Sequence, residues 1–237
     1  MLSLRRFLIA TAEGASILAL GRLFSVWWAL ALVVGLWLYW RQSLDLEHQS
    51  LFAIGLVSLA LVLSLNHNLI GQLIILAGYV WWRSGLLADQ TTTHFDIWQA
   101  AWLEFISISA IFSAEAIWHW PLTLVLVSAY VSSVIIAYSF FGEGERATRA
   151  LSAAWGLIVA ESSYVFSIWL VHYVLPGNIL LIPQAAVVLT ALGYCFGSIY
   201  LAHTSSKLSK ARLAEYAIIG LCLIVIVIAG TKWSGSV

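Results

Sequence analysis

The chain has 237 residues, of which 62% are hydrophobic and only 9% charged, and its mean hydropathy is +0.96. Such a chain has too little polar surface to cover a water-soluble globule, so soluble domains are excluded. Its 11 basic and 11 acidic residues cancel, which argues against a nucleic-acid partner and makes the lipid bilayer the expected surroundings.

The first apolar run, residues 7–21, follows Arg5 and Arg6 as the apolar part of an export signal would. Glu13 interrupts this run, and at least seven further apolar segments already commit the chain to a membrane. We therefore expect a first membrane helix here rather than a cleaved signal.

Apolar runs bounded by polar residues continue along the whole chain. They cover residues 7–21, 25–40, 50–65, 69–82, 97–118, 122–141, 150–174, 178–202 and 215–231. Several are shorter than the roughly 20 residues that cross the hydrocarbon core, so the helices must include flanking residues or thin the bilayer. We expect one all-α domain over residues 1–237, a polytopic helical bundle with eight or nine transmembrane helices.

The basic residues favour one side of this bundle. The loops on that side carry Arg41, Arg83, Arg146, Arg149, Lys207, Lys210 and Arg212, and the opposite side carries Arg22 and Lys232. With nine spans, Arg5 and Arg6 join the richer side. The positive-inside rule then predicts a multi-pass protein of the cell membrane with a cytoplasmic amino terminus.

We expect neither the tryptophans nor the cysteines to form a binding site. Most tryptophans lie near the ends of the apolar runs, which is typical of an aromatic belt at the membrane interface rather than of a cage for a cationic ligand. Cys195 and Cys222 each lie inside an apolar run, so we expect them to be packing residues.

Three histidines, His67, His119 and His172, lie 52 and 53 residues apart, each where one apolar run gives way to the next. They mark the outward tips of three predicted helical hairpins. An Ala-Ala-Trp sequence ends at Trp102 and again at Trp155, in each case 17 residues before a histidine. This pattern predicts a duplicated two-helix hairpin, residues 97–149 and 150–203, in which His67 has no part.

Acidic residues at membrane depth are the main candidates for function, because each costs several kcal/mol to insert unless it is paired or hydrated. Glu104 and Glu115 are 11 residues apart, so about 100° per residue brings them within about 20° of one helical face. Glu161 and His172 have the same spacing on a later helix. Two polar stripes could therefore line a common path.

The run 178–202 contains Pro183 followed by Gln184. A proline inside a helix removes one backbone hydrogen bond, and such breaks occur where membrane helices line a polar site. We therefore include both residues among the candidates for the path.

The favoured function is transport of a small solute or ion, with the buried carboxylates exchanging protons or binding cations. One alternative is an intramembrane enzyme in which Glu115 and His119, one helical turn apart, bind a metal or transfer protons together with His172. The chain has no zinc-protease, serine-hydrolase or phosphate-loop motif, and no cofactor is indicated. The other alternative is a non-catalytic scaffold, a homo-oligomer or a subunit of a membrane complex, in which the glutamates only hold helices together.

Overall fold

The computed structural model describes residues 2–23, 25–40, 46–66, 68–88, 97–141, 146–168, 172–174, 181–204 and 209–230. Within them the helices are α1 (Leu2–Leu23), α2 (Val26–Trp40), α3 (Leu46–Leu65), α4 (Leu69–Ala88), α5 (Ile97–Trp118), α6 (Leu122–Phe141), α7 (Arg146–Ile168), α8 (Gln184–Thr204) and α9 (Lys210–Gly230). Two short strands, β1 (His172–Val174) and β2 (Leu181–Pro183), lie between α7 and α8. The predicted nearly all-helical fold is confirmed.

Four of these helices, α5 to α8, are long and apolar enough to cross a membrane. The described part of each has at least 20 residues, which at about 1.5 Å per residue spans the roughly 30 Å of a hydrocarbon core. Together with the composition of the chain, they fit a membrane-embedded protein.

The connection between α7 and α8 differs from the prediction. We expected helices over 150–174 and 178–202, but α7 ends at Ile168 and a short antiparallel strand pair follows, with His172 opposite Pro183. Helix α8 begins only at Gln184, so Pro183 precedes the helix instead of interrupting it. The missing N–H of a proline costs nothing at that place. The prediction of a helix broken by Pro183 is therefore wrong.

The connection between α5 and α6 is a tight turn, as the sequence predicts. His119 follows the end of α5 with a φ of 53°, the left-handed conformation that commonly ends a helix. The carbonyl of Pro121 then accepts the backbone N–H of Leu124 at 2.8 Å and starts α6. His67, the tip of the predicted hairpin between α3 and α4, lies outside the described residues.

Helix α5 lies at the centre of the bundle. It packs against α3 and α4 on one side and against α6 and α8 on the other, and two thirds of its apolar stretch is buried. Because α5 carries Glu104 and Glu115, both candidate carboxylates belong to a helix that is surrounded by four others.

Close approach between helices depends on glycines facing aromatic rings. Gly55 of α3 contacts the ring of Trp82, and Gly78 of α4 contacts the ring of Trp102. A Cβ atom at either position would collide with that ring. Small residues at such contacts are typical of helices that pack within a membrane.

The turn at His119 leads to a stability prediction. We expect His119→Gly to leave the protein as stable or to stabilise it by up to about 1 kcal/mol, because glycine adopts a positive φ without strain. His119→Val should destabilise it by about 1–3 kcal/mol, because a β-branched residue is strained there.

Thermal unfolding of the detergent-purified variants would measure both effects. His119→Asn serves as the matched control, since asparagine tolerates the left-handed conformation. Equal stability of the valine and glycine variants would contradict the assignment of this turn.

Candidate functional site

Glu104 lies in the second turn of α5 and is almost fully buried, with 4% of its surface exposed. The Ser133 hydroxyl of α6 donates a hydrogen bond to Glu104 Oε1 at 2.7 Å. The Trp155 side chain of α7 lies beside the same carboxylate and lines the same cavity. Among the described residues no lysine, arginine or histidine forms an ion pair with Glu104. Three helices thus fix a carboxylate that has polar partners but no counter-charge.

A small cavity lies beside Glu104, which is one of its lining residues. It lies between α5, α6, α7 and α8 and offers about 40 Å³ to water-sized species. Since one water needs at least about 10–15 Å³ by this measure, only a few water-sized positions fit. The lining consists of Ile97, Ala100, Ala101, Glu104, Ile136, Ala137, Phe140, Phe141, Trp155, Thr190, Gly193, Tyr194, Phe196 and Gly197.

The cavity lies toward one end of the bundle. Ile97 is the first residue of α5 and Phe141 is the last residue of α6, and both line it. Phe196 of α8 also lines it and is 53% exposed, so the lining reaches the surface of the bundle. Glu104 therefore lies closer to the end of the bundle where α5 begins than to the opposite end.

An apolar layer interrupts the stripe that carries Glu104 and Glu115. Ile108 and Phe112 project from the same face of α5 between the two glutamates, and both are fully buried. They pack in one cluster with Val159 of α7. The two carboxylates, roughly 16 Å apart along α5 at about 1.5 Å per residue, are thus separated by packed hydrocarbon.

Glu115 lies near the other end of α5 and is only partly buried. The Ser167 hydroxyl of α7 donates a hydrogen bond to Glu115 Oε2 at 3.2 Å. Glu161, by contrast, lies on the exposed face of α7. The two predicted stripes therefore do not line one path in this structure, because Glu161 faces away from the bundle.

Pro183 and Gln184 are buried at the start of α8. The α8 residues that line the Glu104 cavity begin only at Thr190, about one and a half helical turns later. The structure therefore does not bring these two candidates together with Glu104.

The candidate metal ligands Glu115, His119 and His172 do not converge. Within the described ranges no three His, Cys, Asp or Glu side chains are grouped as a metal ion would require. His119 is exposed at its turn, whereas His172 is partly buried and its Nε2 has no hydrogen-bond partner in the described structure. Burial lowers the pKa of His172, because the charged imidazolium loses solvation there.

A second buried polar cluster, missed by the sequence analysis, ties α1 to α4. Arg83 Nε donates to Glu13 Oε2 at 3.1 Å, and both side chains are buried. Tyr79 donates its hydroxyl to the same oxygen at 3.0 Å, and Trp40 Nε1 donates to Glu13 Oε1 at 2.6 Å. The Arg83 guanidinium also stacks over the Phe52 ring at 4.0 Å.

The sequence contained a signal for this pair. Taken by its own apolar run, Glu13 is an interruption, and Arg83, one residue past the run 69–82, is a loop charge. Arg83 in fact lies inside α4. One acid and one base, each alone in its apolar surroundings, predict mutual pairing because neither is stable in hydrocarbon without the other.

No protein-family model, no curated protein and no solved structure matches the chain. The function of the Glu104 site therefore has to be argued from its own geometry.

The lowered pKa of His172 predicts a pH dependence of stability. The unfolded chain takes up a proton near pH 6.5, the ordinary value for histidine, whereas the folded protein does so only at lower pH. Stability should therefore fall as the pH falls below about 6.5. Unfolding midpoints measured from neutral to acidic pH would show this decline.

His172→Gln should make the decline shallower, and His119→Gln is the matched control for replacing a histidine at an exposed position. Identical pH profiles for His172→Gln and the unaltered protein would contradict this role for burial.

The Glu13–Arg83 pair predicts strong non-additivity. Arg83→Leu alone should destabilise the protein by about 3–5 kcal/mol, because it leaves a buried carboxylate without its partner. The double variant Glu13→Gln with Arg83→Leu should recover part of this loss. Chemical unfolding of the four proteins in a double-mutant cycle gives the coupling energy.

Arg149→Leu, at an exposed position of α7, is the matched control for removing an arginine. Additive effects of the two single changes at Glu13 and Arg83 would refute the pairing.

Proposed function

We propose that this protein transports a proton or another small cation across a membrane, with α5 to α8 as the transporting bundle and Glu104 as the binding carboxylate. The observation that carries the proposal is the burial of Glu104 without a counter-charge among the described residues, beside a cavity of a few water-sized positions.

The physical argument starts from the cost of burying a carboxylate. An ionised carboxylate away from water is destabilised by several kcal/mol unless a positive charge compensates it. Glu13 has Arg83 for this purpose, but the described surroundings of Glu104 supply only neutral donors. A proton or a bound cation at Glu104 would supply the missing charge, and its exchange would be a transport step.

The apolar layer supports a transporter rather than an open channel. Ile108 and Phe112 close the face of α5 beyond Glu104, while the cavity extends toward the opposite end. A cation at Glu104 would therefore leave on the other side only after the helices rearrange. A site that is open toward one end of the bundle and closed toward the other is the arrangement expected of alternating access.

We further propose nine spans, a cytoplasmic amino terminus and location in the cell membrane. Helices α1, α3, α4 and α9 have 20 to 22 residues each, enough to cross, whereas the 15 residues of α2 require local thinning of the bilayer. Arg83 is not counted as a loop charge, because it is buried in α4 and paired with Glu13. Eight basic residues then lie on the proposed cytoplasmic side and two on the other.

The duplicated hairpin, residues 97–149 and 150–203, stays a prediction. Its two halves join their helices differently, by the turn at His119 in the first and by the strand pair in the second.

Glu104→Gln tests the proposed function. Purified protein in liposomes would be exposed in turn to gradients of protons, sodium, potassium and ammonium, with charge movement followed by a potential-sensitive dye. We expect flux of at least one of these ions. Glu104→Gln should reduce this flux by about tenfold or more, because the neutral amide of glutamine has no negative charge to balance a bound cation.

Glu161→Gln is the matched control, because this glutamate is exposed on α7 and should keep the full flux. If Glu104→Gln retains full flux, Glu104 is not the binding carboxylate. If the folded, unaltered protein moves no ion faster than empty liposomes do, the transport proposal fails and the scaffold alternative is favoured instead.

A further inference from the structure

Aromatic rings dominate the lining of the Glu104 cavity. Helices α6, α7 and α8 contribute these rings. They belong to Phe140, Phe141, Trp155, Tyr194 and Phe196. The faces of such rings carry negative electrostatic potential and attract cations, most strongly where water is excluded. One carboxylate within an aromatic lining is therefore a suitable environment for a cation that binds through both charge and ring contacts.

Oxygen atoms, in contrast, are few around this cavity. Among its lining side chains only those of Glu104, Thr190 and Tyr194 carry oxygen. Hard metal cations replace their hydration shell with many oxygen ligands, six to eight for calcium and near-octahedral sets for magnesium. The described lining cannot provide such a shell, so it disfavours a dehydrated metal cation.

Thr190 provides an independent indication of a hydrogen-bonding ligand. Its Oγ1 is buried and has no hydrogen-bond partner within the described structure, although the residue lines the cavity. A buried hydroxyl without a partner is costly and therefore uncommon. Glu104 and Thr190 together offer acceptors to a ligand that brings its own N–H donors.

The size of the cavity limits that ligand. Space for a few water-sized positions accommodates an ion about as large as water, with at most a small substituent. Gly193 of α8 also lines the cavity, and a Cβ atom added there would lie 3.2 Å from the Trp155 ring. A methyl group at this position would take up part of the space.

We infer that the cation bound at Glu104 is ammonium or a monoalkylammonium ion, an inference that rests on the proposed transport function. The ammonium group donates N–H bonds to Glu104 and Thr190, and the aromatic lining takes the place of its remaining hydration. A proton alone would need neither the rings nor the free Thr190 hydroxyl.

Uptake of radiolabelled methylammonium into proteoliposomes tests this inference. With an inside-negative potential we expect saturable uptake that unlabelled ammonium inhibits. Sodium and potassium should not inhibit it, because the lining lacks the oxygens they require. Tetramethylammonium should not inhibit it either, because the cavity is too small.

Three variants separate the contributions of charge, rings and space. Glu104→Gln should abolish saturable uptake. Phe140→Leu keeps an apolar side chain but removes a ring, and we expect the half-saturating concentration of methylammonium to rise about 2- to 30-fold. Gly193→Ala should weaken uptake of methylammonium more than inhibition by ammonium, because the larger ion needs the space. Glu161→Gln again serves as the control with full uptake.

The outcomes distinguish this inference from the proposal on which it rests. Glu104-dependent flux of protons, sodium or potassium without methylammonium uptake would overturn the ammonium inference and leave cation transport standing. Inhibition by sodium as strong as by ammonium would also overturn it. Absence of every Glu104-dependent flux would overturn both. Folding of each variant is checked by its elution profile and unfolding midpoint. Thr190→Val provides a second test of the inference, because it removes the Thr190 hydroxyl and leaves Glu104 intact.

Discussion

The cost of placing a carboxylate away from water governs both halves of this protein. In the first half Glu13 meets that cost with a full positive charge, Arg83, and with hydrogen bonds from Tyr79 and Trp40. In the second half Glu104 has only Ser133 and Trp155, both neutral donors. In the first case the counter-charge comes from the chain itself, so the pair needs no ligand to balance its charge. The second lacks one unit of charge, and this difference distinguishes a structural cluster from a candidate binding site.

Helix α5 couples these two regions. Its contacts with α3 and α4 connect it to the helices around the Glu13–Arg83 pair, and its contacts with α6 and α8 form the walls of the Glu104 cavity. The fully buried Ile108 and Phe112 pack in one cluster with residues of α6, α7 and α8. In the transport that we propose, the helices would have to separate at this layer.

Much of the fold could be predicted from hydropathy and turn residues. The length of an apolar run and the polar residues that end it are local properties of the chain. The strand pair at His172 and Pro183 could not, since three-residue strands carry no periodic pattern and their pairing is a long-range contact. For the site, the spacing correctly placed Glu104 and Glu115 on one face of α5. It could not show that Glu161 faces outward, because the rotation of α7 depends on packing against α6. Nor did it connect Glu13 with Arg83, which lie 70 residues apart.

That separation has a consequence for biosynthesis. Helix α1 emerges from the ribosome with Glu13 unpaired, and its partner Arg83 follows only after two further helices. Glu104 similarly precedes Ser133 by 29 residues and Trp155 by still more. Helix α5, which is long and apolar enough to cross a membrane, would therefore enter the bilayer with a protonated acid or wait at the insertion machinery until its later partners arrive. The order of synthesis makes completion of the Glu104 site depend on α6 and α7.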